Sequence, residues 1–351
     1  GPIRWLQLPG NPREHYIPQA QWQPGTNIIL LQQMNRLQNE NRLFRIEGNA
    51  TQPELLLLER DEAWLENENP FRFIDQGAAI LWLSERSGWR RMYRFDVSDK
   101  ALKPLTEDGF DVIDIAAVDE VAGCVYYKAS PDNATQQYLF QASLHGTPSK
   151  KRITDPQQLG WHDYEFSKDG RFAVHTFSNA TTPPRVEIIQ LPNQLLKLLE
   201  DNQSLAAKLD EIAKPAVEFI QVATSDGQRL DAWVLEQEDF SSSQRPLLMY
   251  VYGEPHGQTV RDAWPGTRGL WHWLMAQQGY VVASVDNRGT NVPRGRTWRK
   301  AVHRQVGILA SQDQADAVRD LLKRKSSIDP QRIGVWGWSG GGSMSLNAIF
   351  R

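Results

Sequence analysis

A loosely repeated strand–turn–strand unit in the first half of the chain constrains the fold more than any other feature. Each copy has an apolar strand, a polar turn containing Asn, Gly or Pro, and a second strand of alternating character. The four copies lie at 27–48, 78–99, 122–146 and 171–191, which gives a period in the forties. Paired strands at this period predict the blades of a β-propeller, and four similar hairpins in a β-sandwich are the alternative.

The sequence pattern changes after Pro192, where we predict a domain boundary that separates 1–192 from 193–351. The leucine-rich stretch 193–213 has the composition of a helix, and a hairpin at 217–236 turns at Asp226-Gly227. Strands and helices then alternate, with strands at 246–253, 280–289 and 332–338 and helices at 268–279 and 311–327. This alternation favours a mostly parallel sheet with helices on both faces.

The helix at 311–327 carries two acidic residues, Asp313 and Asp316, in its first turns. Negative charge near a helix N-terminus is stabilised by the helix macrodipole. We therefore interpret these two carboxylates as helix-terminus charges.

A Gly-x-Ser-x-Gly sequence follows the last strand, from Gly337 to Gly341, with Ser339 at its centre. In a strand-to-helix elbow of this form, the serine lies in a strained turn that exposes its Oγ. The N–H of the next residue, Gly340, then faces the oxygen that becomes negative during acyl transfer. We interpret Ser339 as a nucleophile, and a glycine-rich turn in an ordinary βα unit is the alternative.

The residues that would activate this serine are missing from the sequence. A serine nucleophile needs a general base and a group that orients the base, and in this fold the chain order is Ser, Asp or Glu, then His. No Asp, Glu or His follows Ser339, and all 7 histidines precede it, with His256 and His272 in the same predicted domain. We expect the triad Asp and His to lie beyond residue 351, and the 351-residue chain to be inactive by itself.

Composition excludes several classes of function. The net charge of −3 gives no general attraction to nucleic acid, and the single cysteine, Cys124, rules out an internal disulfide and a cysteine metal site. The basic segment 294–300 is interpreted as a surface loop that enters a helix. Because the chain opens on a glycine, we expect it to be an internal piece of a longer protein. No cofactor or metal is implied, and the cellular compartment stays undecided.

Taken together, the motifs resemble the prolyl oligopeptidase family of serine peptidases, most closely its dipeptidyl peptidase IV branch. The resemblance lies in GWSGGG (337–342), YVYGEPHGQ (250–258) and DNRGTNVPRGRTWRKAVHRQVG (286–307), and it extends over essentially the whole chain. It implies the later, C-terminal blades of an eight-bladed propeller, followed by the first part of an α/β-hydrolase domain that is truncated after the nucleophile elbow.

The resemblance also implies roles for individual residues. Ser339 matches the nucleophile, the Gly340 N–H matches one oxyanion donor, and Tyr252 matches the tyrosine whose hydroxyl is the second donor. From the residues alone, Tyr252 would be interpreted as a core aromatic. The implied reaction is the release of dipeptides from short peptides with a free N-terminus, and a homodimer is left open. The alternatives are an acylaminoacyl hydrolase, oligopeptidase or esterase of the same fold, and a catalytically dead binding protein.

The sequence departs from the family pattern at three places. Gly340 replaces the usual tyrosine after the serine, Ala310 stands where glutamate is usual, and Glu254 with His256 replaces glycine-like positions after Tyr252. The first departure leaves the residue preference at the penultimate position open. The acid-rich segment 61–69, with Glu62, Glu66 and Glu68, is interpreted as a solvated loop. The glutamate pair that holds the substrate amine in this branch would precede residue 1.

Overall fold

The computed structural model describes residues 3, 5–48, 50, 52–66, 70–212, 214–237 and 244–351. The chain divides into two compact units, one formed by 1–127 with 141–151 and the other by 128–140 with 152–351.

Four successive antiparallel sheets fill the first 200 residues. The first contains β1 (His15–Tyr16), β2 (Ala20–Trp22), β3 (Ile28–Asn35), β4 (Glu40–Glu47) and β5 (Glu54–Arg60). The second contains β6 (Arg72–Ile74), β7 (Ala79–Ser84), β8 (Arg91–Asp96) and β9 (Leu102–Pro104). The third contains β10 (Val112–Asp119), β11 (Cys124–Ala129), β12 (Tyr138–Ser143) and β13 (Lys151–Arg152). The fourth contains β14 (Trp161–Phe166), β15 (Phe172–Ser178), β16 (Arg185–Gln190) and β17 (Gln194–Glu200).

Each predicted hairpin forms the central strand pair of one sheet. In the first two sheets these pairs are β3–β4 and β7–β8, and residues such as Leu31 opposite Phe44 and Trp82 opposite Tyr93 fix their registers. Apolar side chains from the two sheets share one buried cluster, which includes Leu30, Ile80 and Phe95. Full burial of one such side chain stabilises the fold by about 1.5–3 kcal/mol relative to exposure. Chain-consecutive sheets of four or five strands fit blades better than the two sheets of a sandwich.

The prediction of a single helix over 193–213 is wrong in its first part. Residues Gln194–Glu200 form β17, the edge strand that pairs with β16, and only Gln203–Asp210 are helical (α1). The leucines of β17 have good helix propensity, but pairing with a strand already in place overrides this weak preference. The fourth sheet therefore continues past Pro192, and the division into 1–192 and 193–351 stays a prediction.

The remaining strands form one sheet with the order β18-β19-β21-β20-β22. The strands are β18 (Ala216–Ala223), β19 (Arg229–Glu236), β20 (Arg245–Tyr250), β21 (Val281–Val285) and β22 (Ile328–Trp336), and the helices are α2 (Gly266–Gln277), α3 (Gly295–Lys300), α4 (Leu309–Arg324) and α5 (Gly340–Phe350). As predicted, β18 and β19 form an antiparallel hairpin. The parallel part is β21-β20-β22.

Helices cover both faces of this sheet, in agreement with the sequence prediction. On one face, Ala317 and Leu321 of α4 pack against strand residues such as Val234 and Ala283. On the other face, Trp273 and Ala276 of α2 pack in a second buried cluster. No helix in the described part of the chain is both long and apolar enough to span a membrane.

Two sequence interpretations of charged residues are corrected by the structure. Asp313 and Asp316 lie beyond the first turn of α4, which begins at Leu309, and both are buried. Asp313 pairs with Arg288, and Asp316 accepts from the backbone N–H and hydroxyl of Ser225. The basic segment 294–300 is not a surface loop, because it forms α3 and buries Arg299 and Lys300.

The fourth sheet contains a buried pair of histidines. His162 Nδ1 lies 2.9 Å from His175 Nε2, His162 Nε2 lies 3.0 Å from the carbonyl oxygen of Gln158, and His175 Nδ1 lies 3.0 Å from Glu187 Oε1. Burial lowers the pKa of His162 to about 3. Burial also lowers the pKa of His175, although the Glu187 carboxylate opposes this change. Burial therefore disfavours a positive charge on either ring.

We predict that acid destabilises the fold through His162. Its folded-state pKa lies below the unfolded value of about 6.5, so the unfolded chain binds the proton first. The contribution of His162 to the free energy of unfolding should be constant above pH 6.5 and should fall below it, by about 1.4 kcal/mol per pH unit. Urea unfolding of the 351-residue chain at pH 7 and pH 5 measures this loss. His162→Gln should reduce the loss, and His145→Gln, at an exposed position, should leave it unchanged. An equal loss in all three proteins would contradict the assignment.

Candidate active site

Ser339 lies in a strained and exposed turn between β22 and α5. Its backbone has φ 55° and ψ −118°, a combination that a non-glycine residue adopts at an energetic cost of about 1–3 kcal/mol. The side chain is exposed, and α5 begins at the next residue, Gly340. This is the strained strand-to-helix turn that the motif predicts, and the role of Ser339 as the nucleophile stays a prediction.

Two glycines of the elbow are required by the neighbouring strand. A Cβ added to Gly337 would lie 2.3 Å from the carbonyl oxygen of Val251, and one added to Gly341 would lie 2.2 Å from the same atom. Both distances are far inside van der Waals contact, and the obstacle is backbone. The elbow can therefore lie this close to the end of β20 only because both positions lack a side chain.

Tyr252 leaves the sheet directly beside the elbow. β20 and β22 are parallel neighbours with Tyr250 opposite Trp336, and the Val251 N–H donates to the Trp336 carbonyl at 3.0 Å. The prediction that the strand before Tyr252 adjoins the strand before Ser339 is confirmed. Tyr252 is partly buried, and its ring packs on Gly257, where a Cβ would lie 2.0 Å from Tyr252 Cδ1.

The segment after β21 fixes the loop that follows Tyr252. Asn287 donates its side-chain amide to the carbonyl of Gly253 at 3.2 Å and accepts from Gln314 at 3.1 Å. Asp286 accepts from the backbone N–H groups of Thr259 at 2.8 Å and Val260 at 3.1 Å. Burial raises the pKa of Asp286 to about 6, although these hydrogen bonds oppose the rise. These positioning residues were not assigned from the sequence, and the available signal was their place at the carboxyl end of a buried strand.

An ion pair holds the same segment against the helix that covers the sheet. Arg288 binds the fully buried Asp313 through two nitrogens and also reaches Asp226 at 2.7 Å. The carboxylate of Asp313 and, to a smaller extent, that of Asp226 raise the pKa of the Arg288 guanidinium. This pair joins the end of β21, α4 and the β18–β19 turn.

The three departures from the family pattern have different surroundings. Ala310 is fully buried and packs with Val251 and Met344 in an apolar cluster. His256 is exposed. Glu254 lies directly against Gly340: a Cβ at position 340 would be 2.3 Å from Glu254 Cδ and 2.5 Å from Oε2.

Several residues considered from the sequence do not join the site. His272 lies on α2 among aromatic rings that include Tyr250 and Trp336, and burial lowers its pKa to about 4. In the acid-rich segment, Glu62 is exposed, Glu66 accepts from the Trp64 indole at 2.7 Å, and Glu68 lies outside the described residues. Within the described ranges, no group of three or more His, Cys, Asp or Glu side chains is arranged to hold a metal ion.

Two protein families match the first and the last part of the chain. The family described as "Dipeptidyl peptidase IV (DPP IV) N-terminal region" matches residues 1–184, and the family described as "Prolyl oligopeptidase family" matches residues 271–351. A probable dipeptidyl peptidase 4 from Aspergillus flavus is 26% identical over 344 residues, which cover 95% of this chain and 44% of that protein. Dipeptidyl peptidase 4 from Trichophyton equinum is 25% identical over 334 residues, with 93% and 42% coverage.

Solved structures match the same group of proteins. The crystal structure of Porphyromonas gingivalis dipeptidyl peptidase 4 matches with a TM-score of 0.90 and 28% identity, over 99% of this chain and 48% of that chain. The chain thus spans about half the length of the relatives it matches. The match confirms the predicted architecture of propeller blades followed by an α/β-hydrolase domain. The chain belongs to the prolyl oligopeptidase family of serine peptidases, in its dipeptidyl peptidase IV branch.

Proposed function

We propose that these residues are part of a serine exopeptidase that releases dipeptides from the free N-terminus of short peptides. The observation that carries the proposal is the strained, exposed Ser339 after β22, with Tyr252 two residues beyond the end of the adjoining strand β20. The names of the relatives supply the reaction class, and the elbow supplies the nucleophile that this class requires.

The proposal assigns the steps of acyl transfer as follows. The Ser339 oxygen attacks the scissile carbonyl and loses its proton to a histidine base, which donates that proton to the departing amine. The Gly340 N–H and the Tyr252 hydroxyl donate to the oxyanion of the tetrahedral intermediate. Water then attacks the acyl-enzyme ester and releases the dipeptide. The histidine and its orienting aspartate would be supplied by residues C-terminal to Arg351 in the longer protein.

The two proposed oxyanion donors are available for this task. Within the described structure, neither the Gly340 N–H nor the Tyr252 hydroxyl is engaged by another group. By contrast, the neighbouring Tyr250 hydroxyl accepts from Arg268 at 2.6 Å. A donor that is already positioned and unpaired stabilises a developing oxyanion without first breaking a hydrogen bond.

We predict that Tyr252→Phe in the full-length protein lowers kcat by about 10²–10³-fold, the usual effect of losing one oxyanion donor. KM should change little, because the hydroxyl acts mainly on the transition state. Tyr250→Phe is the matched control, since it removes the hydroxyl of a tyrosine two residues earlier, whose partner is Arg268 on α2. The measurement is hydrolysis of Ala-Pro and Ala-Ala 4-nitroanilides. Equal kcat in the two variants would argue against the donor role of Tyr252.

Substrates with free and blocked N-termini separate the proposed function from its rivals. Serine-dependent cleavage of Gly-Pro or Ala-Ala amides only when the amine is free would establish a dipeptidyl peptidase. Cleavage of blocked substrates alone would indicate an oligopeptidase or acylaminoacyl hydrolase. A folded, full-length protein that cleaves none of them would support the binding-protein alternative.

We also predict that the 351-residue chain by itself hydrolyses none of these amides. Ser339 is present, but no Asp, Glu or His follows it in this sequence, so the chain holds no general base in the order that the fold uses. The test is the rate of 4-nitroaniline release over background. A rate above background that Ser339→Ala abolishes would show that the base is one of the upstream histidines.

A further inference from the structure

Glu254 occupies the space that a side chain at position 340 would fill. A Cβ at Gly340 would lie 2.3 Å from the Glu254 carboxyl carbon, 2.5 Å from Oε2 and 2.7 Å from Oε1. The carboxylate is therefore in contact with the Gly340 backbone, one residue from the nucleophile. This conformation of the Glu254 side chain therefore requires a glycine at position 340.

The loop that carries Glu254 is fixed at several points. Gly253 has φ +78°, its carbonyl accepts from Asn287, and a Cβ on it would lie 2.8 Å from Met344 Cγ. The Gly257 N–H closes a turn on the Glu254 carbonyl at 3.0 Å. These contacts set the direction in which the Glu254 side chain leaves the backbone.

The Glu254 carboxylate is partly buried and has no ion pair or hydrogen bond with any residue that the structure describes. Other acidic groups of this domain are paired: Asp313 with Arg288, and Glu236 with Arg245 and Lys325. A partly desolvated carboxylate without a partner costs free energy, and beside an oxyanion hole it also repels the charge that develops there. A cation close to Glu254 would remove both penalties.

The position of the acyl group indicates that a substrate side chain could supply this cation. In the acyl-enzyme the substrate carbonyl carbon is bonded to Ser339 Oγ, and its oxygen faces the Gly340 N–H and the Tyr252 hydroxyl. Glu254 touches Gly340 and follows Tyr252 by two residues. Its carboxylate therefore lies beside the residue whose carbonyl is attacked, which in a dipeptidyl peptidase is the penultimate residue of the substrate.

We propose that Glu254 is a specificity-determining residue that selects substrates with Lys or Arg at the penultimate position. This inference rests on the proposed function and adds the substrate class to it. The ammonium or guanidinium of the substrate pairs with the Glu254 carboxylate in the volume that Gly340 leaves open. A charge-assisted hydrogen bond of this kind is stronger than a neutral one, and part of it is shielded from water.

The test uses the full-length protein and 4-nitroanilides with free N-termini. Ala-Lys is compared with Ala-norleucine, which has a similar chain length without the charge, and Ala-Ala reports general activity. We expect kcat/KM for Ala-Lys to exceed that for Ala-norleucine by about tenfold or more at low salt, and the ratio to fall as salt screens the pair. Ratios are compared so that any general loss of activity cancels.

Variants then assign the preference to the proposed contact. Glu254→Gln keeps the shape and removes the charge, and it should bring the Ala-Lys to Ala-norleucine ratio close to one. Gly340→Ala keeps the charge but forces the carboxylate away, and it should lower the same ratio. Glu165→Gln makes the same change of charge at an exposed position on β14, and it should leave the ratio at its wild-type value.

The outcomes separate the inference from the function on which it rests. Cleavage of Ala-Ala and Ala-norleucine with no preference for Ala-Lys, or with a preference that Glu254→Gln retains, overturns the role of Glu254 alone. Absence of cleavage of every dipeptidyl amide, from a folded protein, overturns the proposed function and this inference with it. A preference that Glu254→Gln and Gly340→Ala both abolish confirms the inference.

Discussion

The carbonyl oxygen of Val251 is the contact on which the candidate site depends. It lies where a side chain on either Gly337 or Gly341 would have to be, so two glycines allow the elbow to close onto the end of β20. The hydrogen bond from the Val251 N–H to the Trp336 carbonyl joins the same two segments one peptide unit earlier. The next residue along the chain, Tyr252, thereby leaves the sheet beside the elbow, with its Cα 3.4 Å from where a Cβ on Gly341 would lie.

Buried polar groups from β21 and α4 hold this arrangement in place. The loop after Tyr252 is bound by Asn287 and Asp286, and the segment that carries them is bound by the Arg288–Asp313 pair. Groups of this kind contribute little net stability when they are paired, but removal of one partner of a buried pair typically costs about 3–5 kcal/mol. Their main effect here is therefore to select one conformation of the loop.

Local sequence patterns predicted most of the fold. The four hairpins, the β18–β19 hairpin and the helices α2 and α4 were predictable because strand alternation, turn residues and helical periodicity are read within one segment. β17 was not, since its leucines favour a helix and only the pairing with β16 makes the segment extended. Asp313 and Asp316 were misread for a related reason: their partners, Arg288 and Ser225, come from distant parts of the chain.

The candidate site, too, could be predicted from the sequence only where local patterns determine it. Ser339 and Gly340 follow from a local motif, and the neighbourhood of Tyr252 follows from the parallel pairing of two strands. The contact between Glu254 and Gly340 follows from neither, because each residue looks like an isolated departure from the family pattern in its own segment. In three dimensions they fill one volume, so a larger residue at 340 and a glutamate at 254 in this conformation exclude each other. Substrate selection at this point would therefore be a property of the pair, and a change at either position alone should alter it.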